Sequence, residues 1–241
     1  WRSIVEHIQG PDIDNEWVTV TDMPRHQLAA HPWSLSGGGA STVTALIEAA
    51  STRLKELTKL IGRTCHTGSD DAYFGQPGTW TRHGVSKDRI VPLVTGEVVR
   101  DWILSPSTEA LFPYGSDLNA NLDDIPSARL LWRFRSQLAE RREPGGTHAE
   151  IGLTWYEWSR WHPERFRAPL GIAMAFVGTH NHFVFDRGGK VFKQSAPVIK
   201  LSEGASQDDY LAVLAVLNSS TACFWLKQKS QPKGGASDLF W

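Results

Sequence analysis

Three quoted pieces of the stretch from Ala128 to Leu201 decide how this chain is read: ARLLWRFR (Ala128–Arg135), TWYEWSRW (Thr154–Trp161) and THNHFVFDRGGK (Thr179–Lys190). Arg129, Arg133, Arg135, Arg141, Arg142, Arg160, Arg165 and Arg167 fall in its first half, with Trp155, Trp158 and Trp161 interleaved. Arginine supplies a planar fork of donors that suits phosphates and base edges, and aromatic rings supply flat faces for bases or sugars. After Gly171 the pattern becomes short apolar runs at Gly171–Val177, His182–Asp186, Lys190–Lys193 and Pro197–Leu201, which read as strands. Asp186-Arg187-Gly188-Gly189 between Phe185 and Val191 predicts a hairpin. Arg187, Lys190 and Lys193 would give that ribbon three positive charges, as a β-ribbon entering a major groove requires.

On either side of the strands the spacing turns helical. Leu130, Leu131, Phe134 and Leu138 predict a helix from Ala128 to about Arg142, capped by Ser127 and ended by Pro144-Gly-Gly. Upstream, Val43, Leu46, Ile47, Ala50, Leu54, Leu57 and Ile61 predict one amphipathic helix over residues 41–61, with Ser41 as cap and Gly62 as stop. Downstream, Ser206-Gln-Asp-Asp resembles a capping box. It opens closing helices over residues 206–228, with Asn218-Ser219-Ser220 as a break that recaps the second. Trp155, Trp158 and Trp161 share a stripe if their segment is helical, and core aromatics are then the plainer reading. The fold class is therefore mixed α/β (α+β), with twisted strands and hairpins packed with long amphipathic helices. Residues 1–35, with Pro11, Pro24 and Pro32, form an irregular N-terminal segment; Gly37–Gly39 is a flexible linker or a helix entry; residues 36–230 are the main domain; residues 231–241 are a flexible tail.

Composition narrows the function. The 241 residues are 41% hydrophobic, enough for a sizeable core, and the net charge is −1. The charge is unevenly placed: residues 1–126 hold 10 Lys+Arg against 16 Asp+Glu, and residues 127–193 hold 11 against 6. An acidic portion joined to a basic one suggests a localised anion-binding face. Cys65 and Cys223 are the only cysteines and form no Cys-x-x-Cys pair, which argues against zinc; no metal site is assigned, since His180 and His182 lack a third ligand. No apolar run of ~18 residues is present, so no membrane span and a cytoplasmic location are expected. The chain begins with Trp1, which predicts processing or a segment of something longer. There is no Gly-x-Ser-x-Gly elbow, no His-Glu-x-x-His and no phosphate-loop lysine, so no catalytic residue is assigned.

Four segments in order carry a family resemblance. IGRTCHTGSDDAYF (Ile61–Phe74) resembles the opening of the target-recognition domain of TaqI-like adenine-specific DNA methyltransferases. IVPLVTGEVVRDW (Ile90–Trp102), LAER with WYEW (Leu138–Arg141 and Trp155–Trp158) and VLAVLNSS (Val213–Ser220) resemble its following segments. Thr179–Gly189, QSAPVIKL (Gln194–Leu201) and ACFWLKQ (Ala222–Gln228) are most similar to the C-terminal part of the PglX-type enzymes of BREX phage-defence and restriction-modification systems. Such enzymes carry an Asn/Asp-Pro-Pro-Tyr/Phe motif for the adenine and a glycine-rich loop for S-adenosylmethionine, and this sequence has neither. The resemblance therefore implies the recognition half without the Rossmann catalytic half, S-adenosylmethionine as cofactor of the parent enzyme, and double-stranded DNA and the methyltransferase catalytic domain as partners.

On that reading Arg133, Arg135, Arg141 and Arg160 are phosphate-binding candidates, with Thr67 and Ser69 beside them. His180, Asn181, Arg187, Lys190 and Gln194 are base-reading candidates, because Asn and Gln pair with adenine and Arg or Lys with guanine. The competing reading is a protein-interaction module that docks other phage-defence proteins or a phage inhibitor.

Overall fold

A computed structural model describes residues 1–10, 13–20, 22, 25–29, 39–100, 102–232 and 239–240. Pro11, Pro24, Pro32, Gly37, Gly38 and most of the expected tail lie outside the described residues. In chain order the elements that position the site are helix α1 (Ala40–Ala50), strands β1 (Thr58–Gly62), β2 (Cys65–His66), β3 (Phe74–Gly75), β4 (Ile90–Val94) and β5 (Thr108–Leu111), and helices α2 (Ile125–Trp132) and α3 (Arg135–Ala139). Strands β6 (Arg160–Trp161), β7 (Gly171–Met174), β8 (Phe183–Asp186), β9 (Val191–Phe192) and β10 (Val198–Leu201) follow, then helices α4 (Gln207–Leu217) and α5 (Ser220–Lys229). The mixed α/β class expected from the sequence is the class observed.

Two four-stranded sheets carry the core. One runs β8-β7-β10-β1 and is antiparallel throughout; the other runs β9-β4-β5-β3, with β9 parallel to β4. A small ribbon pairs β2 with β6, His66 opposite Arg160. Every residue of β10 is buried, Lys200 included. A buried ammonium must donate or lose its proton; Lys200 Nζ donates to Ala168 O at 2.7 Å and Leu170 O at 2.8 Å, and burial pulls its pKa down to about 8.

The hairpin predicted around Arg187-Gly188-Gly189 is not formed. β8 pairs with β7 in one sheet, and β9 pairs with β4 in the other. The reason lies in the strands themselves: Phe183, Val184, Val191 and Phe192 are all buried, so neither strand has the solvated face of a free ribbon. Gly188 and Gly189 make the crossing at φ +85° and +70°, and a side chain at Gly188 would meet Pro169 O at 3.0 Å. Asp186 pins the turn, accepting from Gly188 N at 3.0 Å and Lys190 Nζ at 2.9 Å.

Helix bounds differ from expectation where distant pairing wins. The helix expected over 41–61 ends at Ala50; a single turn, Leu54–Leu57, follows, and residues 58–62 are drawn into β1 by β10. Gly39, not Ser41, precedes α1, and Gly62 is a strand residue. The helix expected from Ala128 starts at Ile125, capped by Asp124 rather than Ser127: Ser127 N donates to Asp124 Oδ2 at 2.9 Å, and Pro126 sits in the first turn. It breaks at Arg133–Phe134. The capping box of Ser206 and Asp209 is present, and Ser219 recaps α5, which runs on to Lys229.

The segment with Trp155, Trp158 and Trp161 is turn followed by β6, not helix. Trp158 is 1% exposed and sits among Tyr73, Phe112, Tyr114 and Trp161, with ring centroids 5.5–6.3 Å away. Trp155 and Trp161 are half-buried, so this stripe is core. Both cysteines are free, and burial pushes the Cys65 thiol up to about 12.

Candidate functional site

The predicted phosphate ligands divide into two kinds. Arg141 is 8% exposed and faces inward. Its Nε donates to Leu138 O at 2.9 Å, its Nη1 to Thr67 O, and its Nη2 to Trp155 O and Glu157 O at 2.8 Å each. Those bonds hold three loops together and engage the buried guanidinium with backbone carbonyls. Thr67 is buried too, its hydroxyl bound to Asp70 Oδ1 at 2.6 Å, and half-buried Ser69 accepts from Gln137 Nε2 at 2.9 Å.

Arg133 and Arg135 lie on the outside. Leu131 and Leu138 are fully buried and Ser127 nearly so, which fixes the inner face of α2 and α3. Arg129, Arg133 and Arg135 are left exposed on the outer side, and Arg142 follows just beyond α3. These four make no side-chain hydrogen bond or ion pair to the described residues; Arg135 is held only over the Trp132 ring, 4.7 Å from its centroid. The other arginines of the basic stretch are committed: Arg160 Nε binds Glu143 at 2.9 Å, Arg165 meets Arg63 O and Glu164, and Arg167 donates to Asp117 O at 2.8 Å. Four exposed arginines without a hydrogen bond or ion pair to the described residues thus lie between residues 129 and 142.

A second group gathers at the β2–β6 ribbon. Arg63 Nη1 donates to Gln194 Oε1 at 3.0 Å, and Lys193 Nζ meets Asp70 at 2.5 Å. His66 and His162 lie here, each partly buried. Burial lowers both pKa values, and the neighbouring arginines lower them further: Arg63 and Arg160 at His66, Arg165 and Arg63 at His162. Buried His148 is lowered by burial and then by Arg141. The fold holds the three histidines below their ordinary pKa, so it takes up protons at lower pH than the unfolded chain, which does so near pH 6.5. Their stabilisation is therefore complete above that pH and is lost as pH falls below it. Thermal melts should give a lower Tm at pH 5.5 than at 7.5, before the carboxylates titrate; an equal Tm would contradict it.

The predicted base readers are not brought together. His180 lies against His182 with ring centroids 4.1 Å apart and planes tilted by 48°, just before β8. Asn181 is buried, and its Nδ2 donates to Leu217 O at 2.6 Å, so it closes the α4–α5 junction. Arg187 and Lys190 stand at the other end of β8, Arg187 bound to Gln207 Oε1 at 2.7 Å and Lys190 to Asp186. Gln194 belongs to the Arg63 group. His180, Arg187 and Gln194 remain exposed, on three separate parts of the surface. Sequence reasoning missed Trp132, Arg63, His66 and His162; the signal for Trp132 was its place off the Leu131–Leu138 face.

No family model matches the chain. Over 98% of its length it is 39% identical to the adenine-specific methyltransferase PglX of Streptomyces coelicolor. The chain is similar to one segment of PglX. It spans 20% of that protein's length. Identity at this level across nearly the whole chain supports a PglX-related segment. Among the described residues, no single helix is long and apolar enough to cross a membrane, and no group of three His, Cys, Asp or Glu is placed to hold a metal.

Proposed function

We propose that this chain is a DNA-contacting, target-recognition part of an adenine-specific methyltransferase acting in BREX-type phage defence. The observation that carries the reading is the set of four exposed arginines, Arg129, Arg133, Arg135 and Arg142, whose side chains make no hydrogen bond or ion pair to the described residues. A run of guanidiniums so placed on a chain of net charge −1 fits a polyanion. In this reading Arg133 and Arg135 hold phosphates with Arg129 and Arg142 beside them. Arg187, Gln194 and His180 are the exposed groups available for base edges. A separate catalytic portion of the parent enzyme would bind S-adenosylmethionine and carry out the methyl transfer, in the cytoplasm with the DNA.

Binding to short duplexes at ~50 and ~200 mM salt tests this: four phosphate contacts should cost roughly two orders of magnitude in affinity across that range. Arg133→Ala and Arg135→Ala should each weaken all sequences alike and flatten the salt slope by about one unit, while Gln194→Ala should act at a single base pair. Salt-independent binding, or none, would sink the reading.

A protein-docking reading has one observation in its favour. Val43 and Leu46 on α1 are 45% and 64% exposed, an apolar strip that the described residues leave uncovered. Co-purification of a stoichiometric partner after nuclease treatment, lost in Leu46→Lys, would support it.

A further inference from the structure

Trp132 is 61% exposed in the middle of the arginine run, which is an expensive place for the largest apolar side chain. Its neighbours hold it in a fixed pose. The Trp155 ring meets it edge-to-face, centroids 5.9 Å apart and planes at 82°. The Arg135 guanidinium sits 4.7 Å from its ring centroid. Trp155 is itself braced by Tyr156 at 5.5 Å and lies beside the core. The indole is therefore oriented before any ligand arrives, and most of its surface still meets solvent. Arg129 and Arg133, three residues before it and one after, make no side-chain hydrogen bond or ion pair to the described residues.

We propose that Trp132 is a stacking platform for a nucleotide base outside a base pair, with Arg129, Arg133 and Arg135 around it holding the adjoining phosphates. This deepens the DNA reading and rests on it. A flat ring between unpaired cations selects a ligand that is both planar and anionic, and a nucleotide is both. A paired base inside a duplex has both faces covered by its neighbours, so the open face of an indole suits a single-stranded or extrahelical base. Stacking tolerates any base, so the platform would add affinity without reading sequence. Arg135 lies over the ring by cation–π attraction, 4.7 Å from its centroid, so it covers one face and a base would stack on the other.

The test uses the 241-residue chain and a DNA strand of about 20 thymidines carrying one 2-aminopurine, titrated at ~50 mM salt beside a fully paired duplex of the same length. The wild-type chain should quench the 2-aminopurine as it stacks. Trp132→Ala should bind the single strand about tenfold more weakly and abolish the quench, with a far smaller loss on the duplex. Trp132→Phe should restore most of both signals, and an unchanged melting curve for each variant would exclude a folding defect. Arg129→Ala should weaken strand and duplex alike and flatten both salt slopes. The platform is overturned if Trp132→Ala binds the single strand like wild type, or loses as much on the duplex as on the strand. Salt-sensitive duplex binding alongside either result leaves the DNA reading standing. Failure of the wild-type chain to bind either DNA removes both.

Discussion

Arg141→Met should cost about 3–5 kcal/mol of stability, the scale of breaking a buried charged network by removing one partner. The side chain is nearly as long, so the loss is in hydrogen bonding, not in filled volume. Four carbonyls lose their donor: Thr67, Leu138, Trp155 and Glu157. A buried carbonyl left unpaired costs about 1–3 kcal/mol, and release of the guanidinium from burial offsets part of that sum. Burial does weigh on the charge, since the Arg141 pKa is lowered chiefly by desolvation. Arg141→Lys should recover little, because one ammonium cannot span a fork of four acceptors. For a protein of this size the loss corresponds to a fall in Tm of roughly 6–20 °C. DNA affinity of the folded fraction should not move. A variant with wild-type Tm and weakened DNA binding would show that Arg141 does reach a phosphate.

Trp158→Ala should be as severe, about 3–5 kcal/mol, because it empties the centre of the aromatic core. Trp158 packs edge-on against Tyr73, Phe112 and Trp161, and its backbone N donates to the Tyr114 hydroxyl at 3.0 Å. Its indole Nε1 is buried without an acceptor. Trp158→Phe removes that unpaired donor and keeps most of the ring, so it should cost less than half as much as alanine. Urea titrations of the two variants against wild type decide it. Equal losses would mean that the indole outline, not aromatic bulk, is what the core needs.

Local chemistry was legible in the residues. Ser206 with Asp209 opened α4 as read, because a capping box needs only neighbours four positions wide. Thr58–Gly62 was misread because Leu57 and Ile61 keep helical spacing, while the pairing that makes them strand comes from Val198–Leu201 far along the chain. Asp124 and Ser127 both suit a cap; Pro126 between them decides for Asp124, since proline belongs in a first turn. At the site, Arg133, Arg135 and Arg141 carry the same side chain in the same basic run. They differ in the backbone that carries them: Arg133 and Arg135 sit at and beside the α2–α3 break with their side chains exposed, whereas Arg141 lies past the end of α3, where the chain leaves the helix and its side chain is buried. What no spacing could show was the ring of carbonyls from Thr67, Trp155 and Glu157 that waits there.

The crossing at Gly188 and Gly189 also governs how the chain can assemble. β8 and β9 are joined by a few residues yet belong to different sheets, and β1 must find β10 across most of the sequence. During synthesis β1 emerges before β10 and stays an unpaired edge until Leu201 leaves the ribosome. High contact order of this kind makes folding slow and exposes strand edges to wrong partners meanwhile. The two sheets therefore close late and together, and a nascent chain stopped short of β10 is one that a chaperone or a protease meets first.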